Sequence, residues 1–190
     1  MGTIASLLTS AGLGAGAGIN SYATLLVLGL FARFQPAWFP DEVARFFATT
    51  PVLIVVGVLY LIEFVADKIP AVDHVWDVIH TFIRPIAGAL AAWGAAAPGL
   101  PKGALVLAAV LGGSAALSTH AVKASVRAAS TVTTGGCGNP VLSVLEDLFA
   151  FVNAILVILL PGLVLVTAAV LILFFVRLRR RQINDVGAPT

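Results

Sequence analysis

Long apolar stretches and short polar interruptions alternate along this chain, and the first stretch is unusual in its glycines. It covers residues 4–33 and includes AGLGAGAGIN, with Tyr22 shortly after. Alternate glycines remove side chains from a helix, so another backbone can approach closely or the helix can break. Two interpretations stay open for Asn20 and Tyr22: a tightly packed helix with satisfied polar groups, or an unwound turn with a polar lining.

The second stretch begins at Pro51, a favourable first residue of a helix, and stays apolar over residues 52–62. Glu63 and Asp67 follow. The uncharged part is about 11 residues long, whereas a plain membrane span needs roughly 20. Either Glu63 therefore lies inside the membrane, or this helix does not cross it. Residues 34–50, which precede it, mix aromatic and charged residues and are predicted to form an interfacial loop.

Four ionisable residues of the third stretch share one face of a predicted helix. Asp73, Asp77, His80 and Arg84 occupy positions i, i+4, i+7 and i+11. Pro85 follows at once and is expected to kink or restart the helix. Short hydrophobic segments interrupted by proline are typical of discontinuous or re-entrant membrane helices.

The fourth stretch, residues 104–130, has a cationic face. His120, Lys123 and Arg127 lie at helical spacing within it. The connector TVTTGGCGNP is rich in glycine and threonine and is expected to break the helix.

The last stretch opens with the acidic pair Glu146 and Asp147 and then stays apolar to residue 176. A single helix over residues 148–176 would measure about 43 Å, against about 30 Å of hydrocarbon in a bilayer. The sequence therefore predicts a hairpin at residues 161–162, where Pro and Gly interrupt the apolar run.

The composition is that of an integral membrane protein. Hydrophobic residues make up 59% of the chain and charged residues 11%, whereas soluble domains carry roughly a quarter charged residues. Mean hydropathy is +1.04. We therefore predict an all-α fold, a polytopic transmembrane helical bundle of about six segments. The single cysteine excludes an internal disulfide.

Charge distribution gives the predicted topology. The formal net charge of +2 arises from a terminal cluster around RLRRR, so no nucleic-acid partner is expected. That cluster favours a cytoplasmic C-terminus, and an even number of crossings places the N-terminus on the same side. No Lys or Arg precedes the first apolar run, which indicates a retained span and not a cleaved signal peptide. We expect one transmembrane domain over residues 1–178 and a basic cytoplasmic tail over residues 179–190.

Weak internal similarity raises the question of a repeat. GINSYAT at residues 18–24 can be laid over ALSTHAV at residues 116–122, and YLIEF resembles VLEDL. Halves over residues 1–97 and 98–178, with three segments each, would be two inverted three-helix repeats with short discontinuous helices, as in many secondary transporters. Chance similarity among small apolar residues is the alternative.

Ionisable residues inside a membrane are costly and mark a functional interior unless they only neutralise one another. A proton- or ion-coupled pathway is the main hypothesis. Asp77 lies three residues before His80 on the same helix face, and a carboxylate beside an imidazole can exchange a proton near neutral pH. The predicted pathway residues are Asn20, Tyr22, Glu63, Asp67, Asp73, Asp77, His80, Arg84, His120, Lys123, Arg127, Glu146 and Asp147.

A metal site and an enzyme are less favoured. Asp73, Asp77 and His80 are weak candidates for metal ligands, because Lys68 and Arg84 lie close by in sequence and would oppose a cation. Nucleophilic hydrolysis lacks a GxSxG elbow, and the GxGxxG-like run near the N-terminus lacks a βαβ context. We therefore expect no enzyme activity and no cofactor.

Three blocks of the sequence resemble a known family. AGINSYATLLVLGL, EFVADKIPAVDHVWDVIHTFIRPIAGAL, and STHAVKASVRA followed by NPVLSVLEDL are similar to the bacterial integral membrane family known as a domain of unknown function (DUF4126). The resemblance covers nearly the whole chain. It implies a multi-pass protein of the bacterial cytoplasmic (inner) membrane and that residues 63–84 act as one unit, and it implies no established activity.

Three functions follow as hypotheses. The first is a small transporter or channel that moves an ion or small charged solute through a polar intramembrane cleft. The second is an accessory or assembly subunit that packs against a larger membrane complex through its glycine-rich segment. The third is binding or translocation of a lipid phosphate by Arg84, Lys123 and Arg127. Membrane lipids and a second copy of the chain, as a homodimer, are the expected partners.

Overall fold

The computed structural model describes residues 3–39, 42–97 and 99–162, apart from the side chains of residues 70, 71, 73 and 74. The described residues form seven α-helices and no strand, which confirms the all-α class. The helices are α1 (Thr3–Ile19), α2 (Ser21–Phe34), α3 (Glu42–Phe47), α4 (Thr50–Ala66), α5 (Pro70–Gly94), α6 (Lys102–Thr134) and α7 (Asn139–Leu159).

The first apolar stretch is two helices, broken at Asn20. This residue is extended, with φ −144° and ψ 108°, and its side-chain oxygen accepts a hydrogen bond from the backbone N–H of Ala23 at 2.8 Å. Asn20 is thus the N-cap of α2, a position that asparagine favours because its side chain satisfies a free backbone donor. The unwound turn left open by the sequence is present.

Two details of the middle region differ from the sequence predictions. The connection predicted as a loop contains a short helix, α3. Pro85 does not restart the helix, because α5 continues through it from Pro70 to Gly94. Membrane-type bundles tolerate an internal proline when neighbouring helices support the freed backbone. The backbone of α6 comes close enough here that a Cβ on Gly113 would lie 3.0 Å from the Pro85 carbonyl oxygen.

The ends of α6 and α7 fall at the predicted breakers. Gly135 takes a left-handed conformation, with φ 62°, directly after Thr134, which is the usual glycine C-cap of a helix. Helix α7 ends at Leu159, and a turn follows at residues 161–162. The predicted break is therefore confirmed, whereas the second arm of the hairpin and the basic tail over residues 179–190 lie outside the described residues.

Helix α1 packs against α5, α6 and α7 through its small residues. A Cβ on Gly14 would collide with the backbone of Gly112 in α6, and one on Gly88 in α5 would lie 2.7 Å from the Gly112 carbonyl oxygen. The backbones of the three helices are thus nearly in contact, as small residues permit. Because side chains are absent at these points, polar groups one turn away can reach backbone atoms of the neighbouring helix.

The outer surface of the bundle is apolar. Helices α6 and α7 are long and apolar enough to cross a membrane, and only 22% and 33% of their most apolar windows are buried. The core helix of a soluble protein would be mostly buried, so these two helices indicate a membrane protein. At about 50 Å, α6 is longer than the roughly 30 Å thickness of the hydrocarbon in a bilayer.

The internal repeat stays a prediction. The sequence match lays the break at Asn20 over Ser118, which lies within the unbroken helix α6. The two matched segments therefore differ in backbone conformation at their most distinctive point.

Candidate functional site

Two groups of ionisable side chains meet inside the bundle, and each is named here by its arginine. The Arg84 cluster consists of Glu63 from α4 with Asp77, His80 and Arg84 from α5. The Arg127 cluster consists of Asp67 from the end of α4, Lys123 and Arg127 from α6, and Glu146 from α7.

In the Arg84 cluster one cation lies between two carboxylates. Nη2 of Arg84 donates a hydrogen bond to Oε1 of Glu63 over 3.1 Å and lies 3.6 Å from Oδ1 of Asp77. The side chains of Arg84 and Glu63 are fully buried, whereas that of Asp77 is 15% exposed. With His80 neutral the cluster carries one excess negative charge. An excess charge in a buried site is costly.

His80 joins this cluster through Glu63 and not through Asp77, the partner that the sequence spacing predicts. Nε2 of His80 lies 3.7 Å from Oε1 of Glu63, and Nδ1 lies 2.9 Å from the carbonyl oxygen of Trp76. The imidazole is fully buried, and the rings of Tyr22 and Trp76 pack against it at centroid distances of 5.7 and 5.2 Å. The carboxylate neighbour thus comes from another helix.

The Arg127 cluster is balanced among its four members, with two cations and two carboxylates. Oδ2 of Asp67 accepts hydrogen bonds from Nη2 of Arg127 at 2.8 Å and from Nζ of Lys123 at 3.1 Å. Glu146 accepts from both Nε and Nη2 of Arg127 and lies 3.4 Å from Nζ of Lys123. Two-pronged arginine–carboxylate contacts of this kind are strong and geometrically specific. The four named side chains therefore pair closely with one another.

Both clusters hold the broken end of α1. Nη1 of Arg84 donates to the carbonyl oxygen of Gly18 over 2.7 Å, and Nζ of Lys123 donates to that of Ile19 over 3.1 Å. The last carbonyls of a helix lack intrahelical partners and carry partial negative charge, so two cations stabilise this end. The break in α1–α2 is thus tied to ionisable groups on α5 and α6.

The start of α2, on the other side of the same break, is tied to α7. Nδ2 of Asn20 donates to Oδ1 of Asp147 over 2.8 Å, and the second carboxylate oxygen has no hydrogen-bond partner among the described residues. Asp147 is 5% exposed. Within the described part of the chain no cation lies at ion-pair distance from it. Asp147 is therefore held by a neutral amide.

His120 lies beside the Arg84 cluster. Its Nε2 lies 3.0 Å from the hydroxyl of Thr81, and this hydroxyl donates to the carbonyl oxygen of Asp77 over 3.0 Å. The Thr81 hydroxyl thus bridges the imidazole of His120 and the backbone of α5. This places a predicted pathway residue of α6 against the exposed edge of the Arg84 cluster.

The structure brings twelve of the thirteen predicted pathway residues into these contacts, directly or through one neighbour. Asp73 lies in the backbone of α5, but its side chain is outside the described residues. Sequence reasoning missed the carbonyls of Gly18 and Ile19 and the hydroxyl of Thr81. An asparagine closely following a run of alternate glycines marks a helix break, and that signal could have indicated the exposed carbonyls.

The described residues contain no group of three or more His, Cys, Asp or Glu placed to hold a metal ion. Of the weak metal candidates, Asp77 faces Arg84, and His80 has one nitrogen at a backbone carbonyl. Asp73 falls outside this test.

The fold and site together define a helical protein with membrane-type helices, a broken first helix and buried ion pairs at the break. The family model described as Domain of unknown function (DUF4126) matches residues 7–181. The chain belongs to this family, as its sequence blocks predicted. No curated protein and no solved structure matches the chain.

Proposed function

We propose that this protein is a small multi-pass transporter of the bacterial cytoplasmic membrane that moves an ion or small charged solute, coupled to protons. The observation that carries the proposal is the break at Asn20, whose two sides are held by ionisable groups from other helices. Discontinuous helices whose ends face charged groups are characteristic of secondary transporters.

The contacts at the break can exchange partners. Arg84 lies between Glu63 and Asp77, so its guanidinium has a second carboxylate within 4 Å. Lys123 likewise lies between Asp67 and Glu146. An incoming charged solute that replaces one carboxylate shifts the cation toward the other, and each cation also holds an α1 carbonyl. Binding of the solute is thereby coupled to the position of the broken helix. A ligand drives a conformational change only if it interacts differently with the two conformations, and this coupling provides such a difference.

Excess carboxylate supports coupling to protons. A purely structural set of ion pairs would be balanced in charge. The Arg84 cluster and Asp147 instead have more carboxylates than cations. Exposed apolar side chains on α4, α5, α6 and α7 fit a bundle surrounded by lipid, and the small size of the chain favours a dimer.

Flux measurements in proteoliposomes test this proposal. We expect the wild-type protein to move protons, metal ions or anions down an imposed gradient, with a rate that depends on pH. Arg84→Gln should lower the rate at least tenfold, and Lys102→Gln, an exposed cation at the start of α6, is the matched control. A folded wild-type protein without flux under proton, metal and anion gradients would refute the function. Equal rates for the two variants would remove Arg84 from the pathway.

A groove between α6 and α7 favours a lipid-directed function as the second candidate. It has a volume of about 340 Å³ and apolar walls, and Lys123 and Glu146 also line it. Arg84 and Arg127 are already engaged by carboxylates, so a lipid phosphate would reach Lys123 by displacing Glu146. Native mass spectrometry of detergent-purified protein distinguishes this candidate: phospholipid retained by wild type and by Lys102→Gln but lost in Lys123→Gln supports it, and equal retention contradicts it.

A further inference from the structure

The hydrogen-bonding pattern of His80 fixes where its hydrogen lies. Nδ1 is 2.9 Å from the carbonyl oxygen of Trp76. A carbonyl oxygen only accepts hydrogen bonds, so Nδ1 carries the hydrogen. In the neutral imidazole Nε2 then carries a lone pair.

The lone pair on Nε2 faces the carboxylate of Glu63, and no hydrogen atom lies between the two acceptors. Nε2 of His80 is buried without a hydrogen-bond partner among the described residues, and Oε1 of Glu63 lies 3.7 Å away. Both side chains are fully buried. Buried polar atoms are nearly always hydrogen-bonded, so two facing acceptors in a closed interior require an explanation.

We propose that His80 and Glu63 form a proton-binding site, which deepens the proposed transport function and rests on it for its physiological role. One proton from the aqueous phase binds the lone pair of Nε2, and a hydrogen bond to Oε1 of Glu63 forms. No other covalent bond changes. The charge of the pair rises from −1 to zero, and the Arg84 cluster becomes neutral.

The charged groups around the site come from three helices. Glu63 and Asp67 approach from α4, Arg84 from its own helix α5 and Lys123 from α6, and the ring of Tyr22 in α2 packs against the imidazole. Lys123 is committed to Asp67 and to the carbonyl of Ile19. The unbalanced charge nearest Nε2 is therefore that of the Arg84 cluster, and proton uptake there removes it.

Proton uptake also alters the hold on α1. His80 and Arg84 then compete for the same oxygen of Glu63, and Asp77 lies 3.6 Å from Nη2 of Arg84 as the alternative partner. A shift of the guanidinium toward Asp77 changes its hydrogen bond to Gly18. The proton site is thereby linked to the broken end of α1.

Nitrogen-15 NMR of histidine-labelled protein in lipid nanodiscs tests the site directly. The chain has three histidines, and His80→Gln assigns the His80 signals. We expect the Nδ1–H tautomer at neutral pH and protonation of Nε2 on acidification. In Glu63→Gln the proton affinity of His80 should fall at least tenfold. Glu42→Gln, at an exposed carboxylate of α3, should leave it unchanged.

Two results would overturn the proposal: an Nε2–H tautomer in the wild type, or a His80 titration that Glu63→Gln does not alter. If Glu63→Gln fails to fold, the tautomer of His80 in the wild type still tests the proposal. Glu63→Asp keeps the carboxylate, so it should keep the protonation of His80 on acidification. The measurement does not depend on transport. If the His80 titration depends on Glu63 but no flux is found, the proton-binding site is kept and the transport function is rejected. If flux is found but the His80 titration does not depend on Glu63, the transport function is kept and the site is rejected.

Discussion

Three glycines of α6 offer a graded test of how closely the helices must pack. A Cβ on Gly112 would lie 2.5 Å from the carbonyl oxygen of Gly88 in α5, and one on Gly113 would lie 3.0 Å from that of Pro85. A Cβ on Gly103 would meet no atom within 4 Å. Since a carbon–oxygen contact normally measures about 3.3–3.6 Å, Gly112→Ala requires α5 and α6 to separate by about 1 Å.

The expected size of the effect follows from this separation. Extra methyl groups in a tight interface cost about 1–3 kcal/mol, and alanine recovers up to about 1 kcal/mol of helix propensity. Gly112→Ala should therefore lower the free energy of unfolding by about 1–2 kcal/mol, Gly113→Ala should be near neutral, and Gly103→Ala should be neutral or stabilising.

Unfolding of the purified protein in mixed micelles by increasing SDS, followed by circular dichroism, measures these differences. The three variants share one helix and one chemical change, so the free space at each glycine is the main variable. A Gly112→Ala protein as stable as Gly103→Ala would refute the close packing of α5 and α6, and with it the placement of both clusters at the end of α1.

Three further predictions concern the site and the topology. Asp67→Asn should lower the free energy of unfolding by about 3–5 kcal/mol, because two buried cations lose their shared carboxylate, and a loss under 1 kcal/mol in the same SDS titration would contradict the ion pairs. Asn20→Ala should cost about 0.5–2 kcal/mol for the helix cap alone, and Asn20→Asp should fail to restore full stability because it faces Asp147; full rescue would show that this contact is absent. Cys137, exposed between α6 and α7, should react with a membrane-impermeant maleimide in inverted vesicles and not in intact cells, and the opposite pattern would reverse the proposed topology.

Features that depend on residues close together in the chain were predictable from the sequence. Hydrophobic length and periodicity predicted helices because burial of an apolar helix surface repeats every three to four residues. Pro51, Gly135 and Pro161 marked helix boundaries through fixed or permissive backbone angles. The shared face of Lys123 and Arg127 followed from spacing within one helix.

Pairing across helices was not predictable. The carboxylate beside His80 is Glu63, which lies on α4, although Asp77 has the favourable spacing on α5. Continuation of α5 through Pro85 and formation of α3 were missed for a related reason. The local sequence shows that a proline removes a helix hydrogen bond. Whether a neighbouring helix stabilises the helix at that point is visible only in the packed structure.

Composition and periodicity are local properties, so they were enough to predict a helical, lipid-compatible chain with ionisable residues concentrated on particular helix faces. Which of these charged groups meet depends on how the helices pack. The near-contact of the α1, α5 and α6 backbones at small residues brings Arg84 and Lys123 to the carbonyls of Gly18 and Ile19. That approach leaves the Arg84 cluster with two carboxylates for one arginine, and a buried charge is compensated only by groups within a few ångströms of it.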